Sequence, residues 1–213
     1  MERRFIFGYR PYTKRHAFPK VRCSFWVLAW ANGCHYDCAY CWLKVGYHPW
    51  PWSEVHVAEK AAIARRLQGF CERMGGGHLL NAGELCDSFI APEYIPFMAS
   101  TLRRANEEHG RSHRLLLLTK SADPRVLLQG AYQDVVVYSV SVNTETMTKQ
   151  LEKGAPSPNK RIHAAKRVKE ASYEVRVRVD PIIAGSNPAR EFESPSGSNP
   201  ASTTPACSEP AYV

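Results

Sequence analysis

Short apolar segments alternate with amphipathic segments through most of the chain. Continuous apolar segments at 24–31, 78–82, 114–119 and 135–142, and an alternating segment at 174–179, predict five strands. Apolar residues at helical spacing predict helices at 55–74 and 92–108, with shorter or more basic ones at 124–129 and 157–170. Strands that are apolar on both faces and separated by helices are typical of a parallel sheet covered by helices.

The pattern therefore predicts an α/β fold, a partial (βα) barrel of about five βα units. A complete eightfold barrel needs about 250 residues, more than this pattern occupies. In parallel sheets of this kind, binding and catalytic residues lie in the loops that follow the carboxyl ends of the strands.

The two ends of the chain differ from its middle. Residues 186–213 are rich in Ser, Pro, Ala, Thr and Asn, and repeat the sequence SNPA, so we predict a disordered tail. Residues 1–22 are rich in Arg, Lys and Tyr and are predicted to form a basic arm. This leaves residues 23–185 as the predicted folded core.

Composition and charge limit the classes of function. The 213 residues carry a net charge of +8, which favours contact with a polyanion such as DNA. No apolar run reaches the roughly 18–20 residues of a membrane span, so no membrane association is expected. The first residues lack a secretory signal, so we expect a cytoplasmic protein whose seven cysteines are thiols, metal ligands or catalysts rather than disulfides.

Three of these cysteines are closely spaced just after the first predicted strand. Cys34, Cys38 and Cys41 have the spacing C-x3-C-x2-C. Three thiolates in one loop can converge on one metal centre, and they are one short of the four that saturate a four-iron cluster. A [4Fe–4S] cluster held by three cysteines keeps one iron open to a small chelating ligand.

Zinc and plain thiols remain as alternatives for this loop. A structural zinc ion needs four ligands, and the fourth would come from Cys23, His35, Cys71 or Cys86. The chain would then be a non-enzymatic metal-binding or nucleic-acid-binding module. A buried group of free thiols is the third possibility.

The cysteine spacing after a first strand resembles that of the radical SAM superfamily. Further segments resemble its spore photoproduct lyase branch: 38–43 (CAYCWL), 83–88 (GELCDS), 118–121 (LTKS), 139–143 (SVSVN), 160–165 (KRIHAA) and 180–182 (DPI). The resemblance extends from about residue 22 to residue 183. It implies a partial barrel of the radical SAM type, with a [4Fe–4S] cluster and S-adenosylmethionine (AdoMet) as cofactors.

The resemblance also implies roles for single residues. Cys34, Cys38 and Cys41 match the cluster ligands. Residues that match positions near AdoMet are Tyr40, Glu84, Lys120, Ser141 and its neighbour Asn143. Cys86 lies in the segment that holds a hydrogen-donating cysteine in the lyase, although alignment on Asp87 puts Glu84 at that place instead.

The implied activity is reductive cleavage of AdoMet to a 5′-deoxyadenosyl radical for the repair of a thymine dimer in DNA, with electrons from an external donor. A radical SAM protein with another substrate is the alternative. Two departures bear on the choice. Trp42 stands where the lyase has a tyrosine after the last cluster cysteine, and the strand pattern ends near residue 185, before the sixth strand and lesion-holding segment of the family domain.

Overall fold

The computed structural model describes residues 6–8, 26–44, 51 and 53–182. The strands are β1 (Ile6–Gly8), β2 (Trp26–Leu28), β3 (Ala31–Asn32), β4 (Asp37–Cys38), β5 (His56–Val57), β6 (Leu79–Asn81), β7 (Arg114–Thr119), β8 (Val136–Val142), β9 (Glu152–Lys153) and β10 (Glu174–Val179). The α-helices are α1 (Lys60–Arg73), α2 (Tyr94–His109), α3 (Arg125–Leu128), α4 (Glu145–Leu151) and α5 (Pro158–Glu170), and a short 3-10 helix spans Trp42–Lys44.

Six strands form the main sheet in the order β1-β2-β6-β7-β8-β10. The five strands from β2 to β10 are parallel, and β1 adds to β2 in the antiparallel direction. Between successive parallel strands the chain passes through at least one helix. The predicted α/β fold with a parallel sheet of about five βα units is therefore confirmed.

The burial of apolar side chains in the core accounts for the formation of the strands and helices where the apolar pattern predicts them. Every residue of β8 is buried, as expected for a central strand covered on both faces. Helix α1 buries Ile63, Leu67 and Phe70, which share one face at helical spacing, and packs beside α2. Removing such side chains from water stabilises the fold by about 1.5–3 kcal/mol each.

The first predicted strand and the first predicted helix are shorter in the structure. The predicted sheet strand at 24–31, whose first two residues lie outside the described ones, ends at Leu28, because Trp30 turns into the core and its indole N–H donates to the Ala82 carbonyl at 2.8 Å. Ala31 and Asn32 then pair with β5, which takes up the first part of the predicted helix at 55–74. Helix α1 consequently begins at Lys60.

Several elements among the described residues were not predicted, including the strand pair β4–β9, helix α4 and strand β1. Helix α4 follows β8 directly, and the Thr144 hydroxyl caps it by accepting the Met147 N–H at 3.2 Å. Strand β1 lies within the predicted basic arm, whose other residues lie outside the described ones, as do the predicted tail at 186–213 and the last residues of the predicted core. In the part of the chain that the structure describes, none of the helices has the length and apolar character needed to span a bilayer.

Candidate cofactor site

A cavity of about 380 Å³ opens at the edge of the sheet where the parallel strands end. Side chains from the loops after β2 and β6, from the ends of β7, β8 and β10, and from the segment after β10 line it. This is the edge where the sequence predicted functional residues. Every residue of the predicted set except Asn143 lines this cavity: Cys34, Tyr40, Cys38, Cys41, Glu84, Cys86, Lys120 and Ser141.

The cysteine loop is held to the connection between β8 and α5. Strand β4 pairs with β9, which sets Cys38 opposite Glu152, and the Ala39 N–H donates to the Leu151 carbonyl at 2.7 Å. At the other end of the loop, the Gly33 N–H donates to the Leu85 carbonyl at 3.0 Å. The loop is therefore attached both to the β8–α5 connection and to the loop after β6.

The three predicted cluster ligands are free thiols. Cys34 and Cys38 are buried and Cys41 is half-buried. Burial raises the pKa of Cys34 to about 11 and also raises that of Cys38, where the nearby Lys120 ammonium opposes the effect. Thiolates at these positions therefore require a cation to stabilise them.

The grouping of the donors bears on the kind of metal centre they could hold. Among the described residues, no three His, Cys, Asp or Glu side chains are grouped so as to hold one metal ion. Cysteines that bind a four-iron cluster each reach a different iron, so they share a cavity without meeting at one point. Of the possible fourth zinc ligands, only Cys86 lines the cavity among the described residues; His35 is exposed, Cys71 lies in the main core, and Cys23 lies outside the described residues.

The loop after β6 is fixed to the end of β7 by a buried carboxylate. Asp87 accepts hydrogen bonds from the Thr119 hydroxyl at 2.6 Å, the Lys120 N–H at 2.7 Å and the Phe89 N–H at 2.8 Å. Burial raises the pKa of Asp87, and these hydrogen bonds oppose the rise. At Gly83 a Cβ atom would lie 2.6 Å from the Leu118 carbonyl oxygen, so the close approach requires glycine.

This loop brings both alternatives for the hydrogen donor into the cavity. The Glu84 carboxylate accepts a hydrogen bond from the Asn81 side-chain amide at 2.9 Å. The Cys86 thiol is buried and donates to the Ala82 carbonyl at 3.5 Å. Burial raises the pKa of Cys86 well above its ordinary value, which keeps it as S–H at neutral pH.

The ends of β7 and β8 supply the remaining predicted residues. The Lys120 ammonium lies 5.6 Å from the centre of the Tyr40 ring, in a cation–π contact. The Ser141 hydroxyl donates to the Asp180 carbonyl at 3.4 Å. Asn143 is buried and bonded instead to the Pro181 carbonyl at 3.3 Å and the Thr144 N–H at 3.0 Å, so it holds the segment after β10.

Sequence reasoning missed a buried ion pair behind the cysteine loop. Glu152 and Arg161 are fully buried as side chains and lie 2.5 Å apart, and the Tyr40 hydroxyl donates to the other carboxylate oxygen of Glu152. Arg161 occupies a buried position of α5 on the face that carries Ala164, Ala165 and Val168. The sequence did contain a signal for this ion pair, since an arginine occupies a position where the helical pattern requires an apolar residue. A buried cation needs a partner of opposite charge.

Comparison with known proteins identifies the family of the chain. The family model described as spore photoproduct lyase matches residues 12–194. The spore photoproduct lyase of Bacillus subtilis (strain 168) is 28% identical over 159 residues, covering 74% of this chain and 45% of that protein. This chain thus spans about half the length of the curated relatives it matches.

Solved structures share the fold. A spore photoproduct lyase complexed with dinucleoside spore photoproduct has a TM-score of 0.63 and 22% identity, covering 78% of this chain and 48% of that one. A mutant of the lyase with bound AdoMet and dinucleoside spore photoproduct has a TM-score of 0.63 and 22% identity, covering 76% and 47%. The family match extends over most of the chain, and this chain belongs to the spore photoproduct lyase family.

Proposed function

We propose that the protein is a radical SAM enzyme that binds a [4Fe–4S] cluster and AdoMet and acts on a thymine lesion in DNA. The observation that carries the proposal is the shared cavity. Cys34, Cys38 and Cys41 line it together with four of the five residues placed near AdoMet by the family resemblance: Tyr40, Glu84, Lys120 and Ser141. Membership of the family supports a shared role for these residues, and their position around one cavity is consistent with that role.

Three thiolates of the loop would hold the cluster, and AdoMet would occupy the open iron and the rest of the cavity. The cluster and AdoMet would supply an electron-driven cleavage that yields a 5′-deoxyadenosyl radical able to abstract hydrogen. The protein's own contribution is binding and positioning. Glu84 carries a carboxylate suited to an amino group, and Ser141 a hydroxyl suited to a hydrogen bond with the cofactor.

The cavity also supplies cations and an aromatic wall. Lys120 and Arg178 both line it and suit a carboxylate or another anionic group. The Tyr40 ring offers a flat surface beside Lys120. Trp42, about half exposed, stands at the rim next to Cys41 and can stack on a planar base.

Cys86 is the proposed hydrogen donor to the product. Returning a hydrogen atom breaks an S–H bond and forms a C–H bond, leaving a thiyl radical on the cysteine. This requires the protonated thiol, which burial at Cys86 favours. Glu84 lies in the same cavity but carries no weak bond to hydrogen, and the chemistry therefore favours Cys86 over the alternative alignment.

The proposal that the substrate is a thymine lesion rests on what the relatives bind. Solved lyases hold dinucleoside spore photoproduct, and the net charge of +8 on this chain favours DNA. A base that must reach a cavity has to leave the helical stack, which costs less where pairing is already damaged. Because Trp42 stands where the family has a tyrosine, a radical SAM protein with another substrate is the second candidate.

The proposal is tested in anaerobic assays with dithionite as electron donor. Reconstituted protein should release 5′-deoxyadenosine from AdoMet, and ultraviolet-irradiated spore-type DNA should yield repaired thymines. Release of 5′-deoxyadenosine without thymine repair would favour the second candidate. Stoichiometric zinc with no AdoMet cleavage would contradict both and favour a non-enzymatic module.

A further inference from the structure

We propose that Glu152 is a positioning residue that acts through Tyr40 on AdoMet binding, an inference that rests on the proposed function. Glu152 does not line the cavity, and it comes from the connection between β8 and α5. Its carboxylate nevertheless reaches the cavity wall, because one of its oxygens accepts the Tyr40 hydroxyl hydrogen bond.

The two oxygens of this carboxylate have separate partners. Oε1 accepts from the Tyr40 hydroxyl, while Oε2 accepts from Arg161 at 2.5 Å and from the Thr148 hydroxyl at 3.3 Å. Arg161 in turn donates to the Ser141 carbonyl at 3.0 Å and to the Pro156 carbonyl at 2.7 Å. A continuous set of buried hydrogen bonds therefore joins the cysteine loop to the strand that carries Ser141.

Backbone pairing reinforces the same connection. Glu152 lies opposite Cys38 in the β4–β9 pair, so its backbone holds the loop while its side chain holds the Tyr40 ring. The hydrogen bond from the Tyr40 hydroxyl to Glu152 restricts the movement of the Tyr40 ring. The Lys120 ammonium lies over this ring, 5.6 Å from the ring centre. A ring fixed before the ligand arrives lowers the entropy lost on binding.

A purely structural role would make all donors to Glu152 equivalent. Thr148 supplies the matched control, because it also gives one hydroxyl hydrogen bond to Glu152 but does not line the cavity. Tyr40→Phe and Thr148→Val each remove one hydroxyl and leave Glu152 paired with Arg161. We expect both variants to fold, with similar small decreases in the urea midpoint of unfolding.

The deciding measurement is the dissociation constant of AdoMet for anaerobically reconstituted protein, determined by equilibrium binding without reductant. Tyr40→Phe should weaken binding by roughly five- to tenfold, and Thr148→Val by less than about twofold. Equal weakening in both variants, or none in Tyr40→Phe, would overturn the inference. Failure of the wild-type protein to bind AdoMet would instead overturn the proposed function and the inference with it.

Glu152→Gln separates action through Tyr40 from direct contact of the Tyr40 hydroxyl with AdoMet. A glutamine has one acceptor oxygen where the carboxylate has two, so it cannot serve Arg161 and Tyr40 in the same way. The loss of AdoMet affinity caused by Glu152→Gln should therefore disappear when it is made in the Y40F background. Losses that add in the double variant would contradict the inference. If Glu152→Gln does not fold, Glu152→Asp, which keeps both oxygens on a shorter side chain, replaces it in the same double-variant comparison.

Discussion

Cys38 and Glu152 face each other across a two-stranded antiparallel pair, although they are far apart in the chain. This pair joins the proposed cluster loop to the connection between β8 and α5, and the Ala39 N–H extends it by donating to Leu151. The thiols are therefore presented by a segment with backbone support on both sides. Such support suits a site whose ligands must keep their geometry.

Replacing Asp87 with asparagine should destabilise the fold. The carboxylate accepts three hydrogen bonds in a buried position, and an amide nitrogen would face one of the donors. We expect the unfolding free energy to fall by about 1–3 kcal/mol in urea titration. Asp123→Asn, in an exposed pair with Arg125, should change it by less than about 0.5 kcal/mol. Equal effects at the two sites would contradict the assigned role of Asp87.

Acid should weaken the fold through His113. This fully buried ring accepts the His78 N–H at Nδ1, 2.9 Å away, and contacts the Met74 carbonyl through Nε2 at 3.2 Å. Burial lowers the pKa of His113. The unfolded chain therefore binds a proton at this histidine more readily than the folded chain does. The free energy of unfolding has its full value above the ordinary histidine pKa of about 6.5, and it falls as the pH drops below that value.

The measurement for His113 is unfolding free energy against pH. Wild-type protein should lose up to about 1.4 kcal/mol per pH unit from this group between its unfolded and folded pKa values. His113→Gln should remove that part of the slope, whatever its stability at neutral pH. His163→Gln, on the exposed face of α5, is the matched control substitution. If the dependence of the unfolding free energy on pH is the same in His113→Gln as in the wild-type protein, the acid sensitivity comes from another group.

Cys86→Ala should separate AdoMet cleavage from product formation. The thiol is proposed to act after hydrogen abstraction, so 5′-deoxyadenosine release should persist while the yield of repaired thymine falls by at least about tenfold. Cys71→Ala is the control, since that buried thiol bonds to Asn106 within the main core and does not line the cavity. An unchanged yield in Cys86→Ala would remove Cys86 from the mechanism.

The sheet was largely predictable because each strand is a local pattern. β7 and β10 have the predicted bounds, and β8 differs by one residue, since buried strands require continuous or alternating apolar residues whatever surrounds them. Helix α4 was missed because its sequence, ETMTKQL, has no apolar periodicity and depends on the Thr144 cap.

The site was predictable only where residues carry a recognisable motif. The cysteine spacing and the short segments after each strand led to the residues that line the cavity. The Glu152–Arg161 pair was not predictable, because Glu152 meets Tyr40 across 112 positions of sequence. Asn143 was expected near the cofactor because of its place in the chain. Its side-chain amide instead donates a hydrogen bond to the Pro181 carbonyl, because the segment after β10 packs against it.

Analysis of the metal centre tests the central claim most directly. Protein reconstituted with iron and sulfide without oxygen should hold about four irons and four sulfides per chain. Replacing Cys34, Cys38 and Cys41 with alanine should abolish this content, and Cys71→Ala should retain it. In the dithionite-reduced wild-type protein, adding AdoMet should change the electron paramagnetic resonance spectrum of the cluster. A spectrum that AdoMet leaves unchanged, or one tightly bound zinc in place of the cluster, would contradict the account.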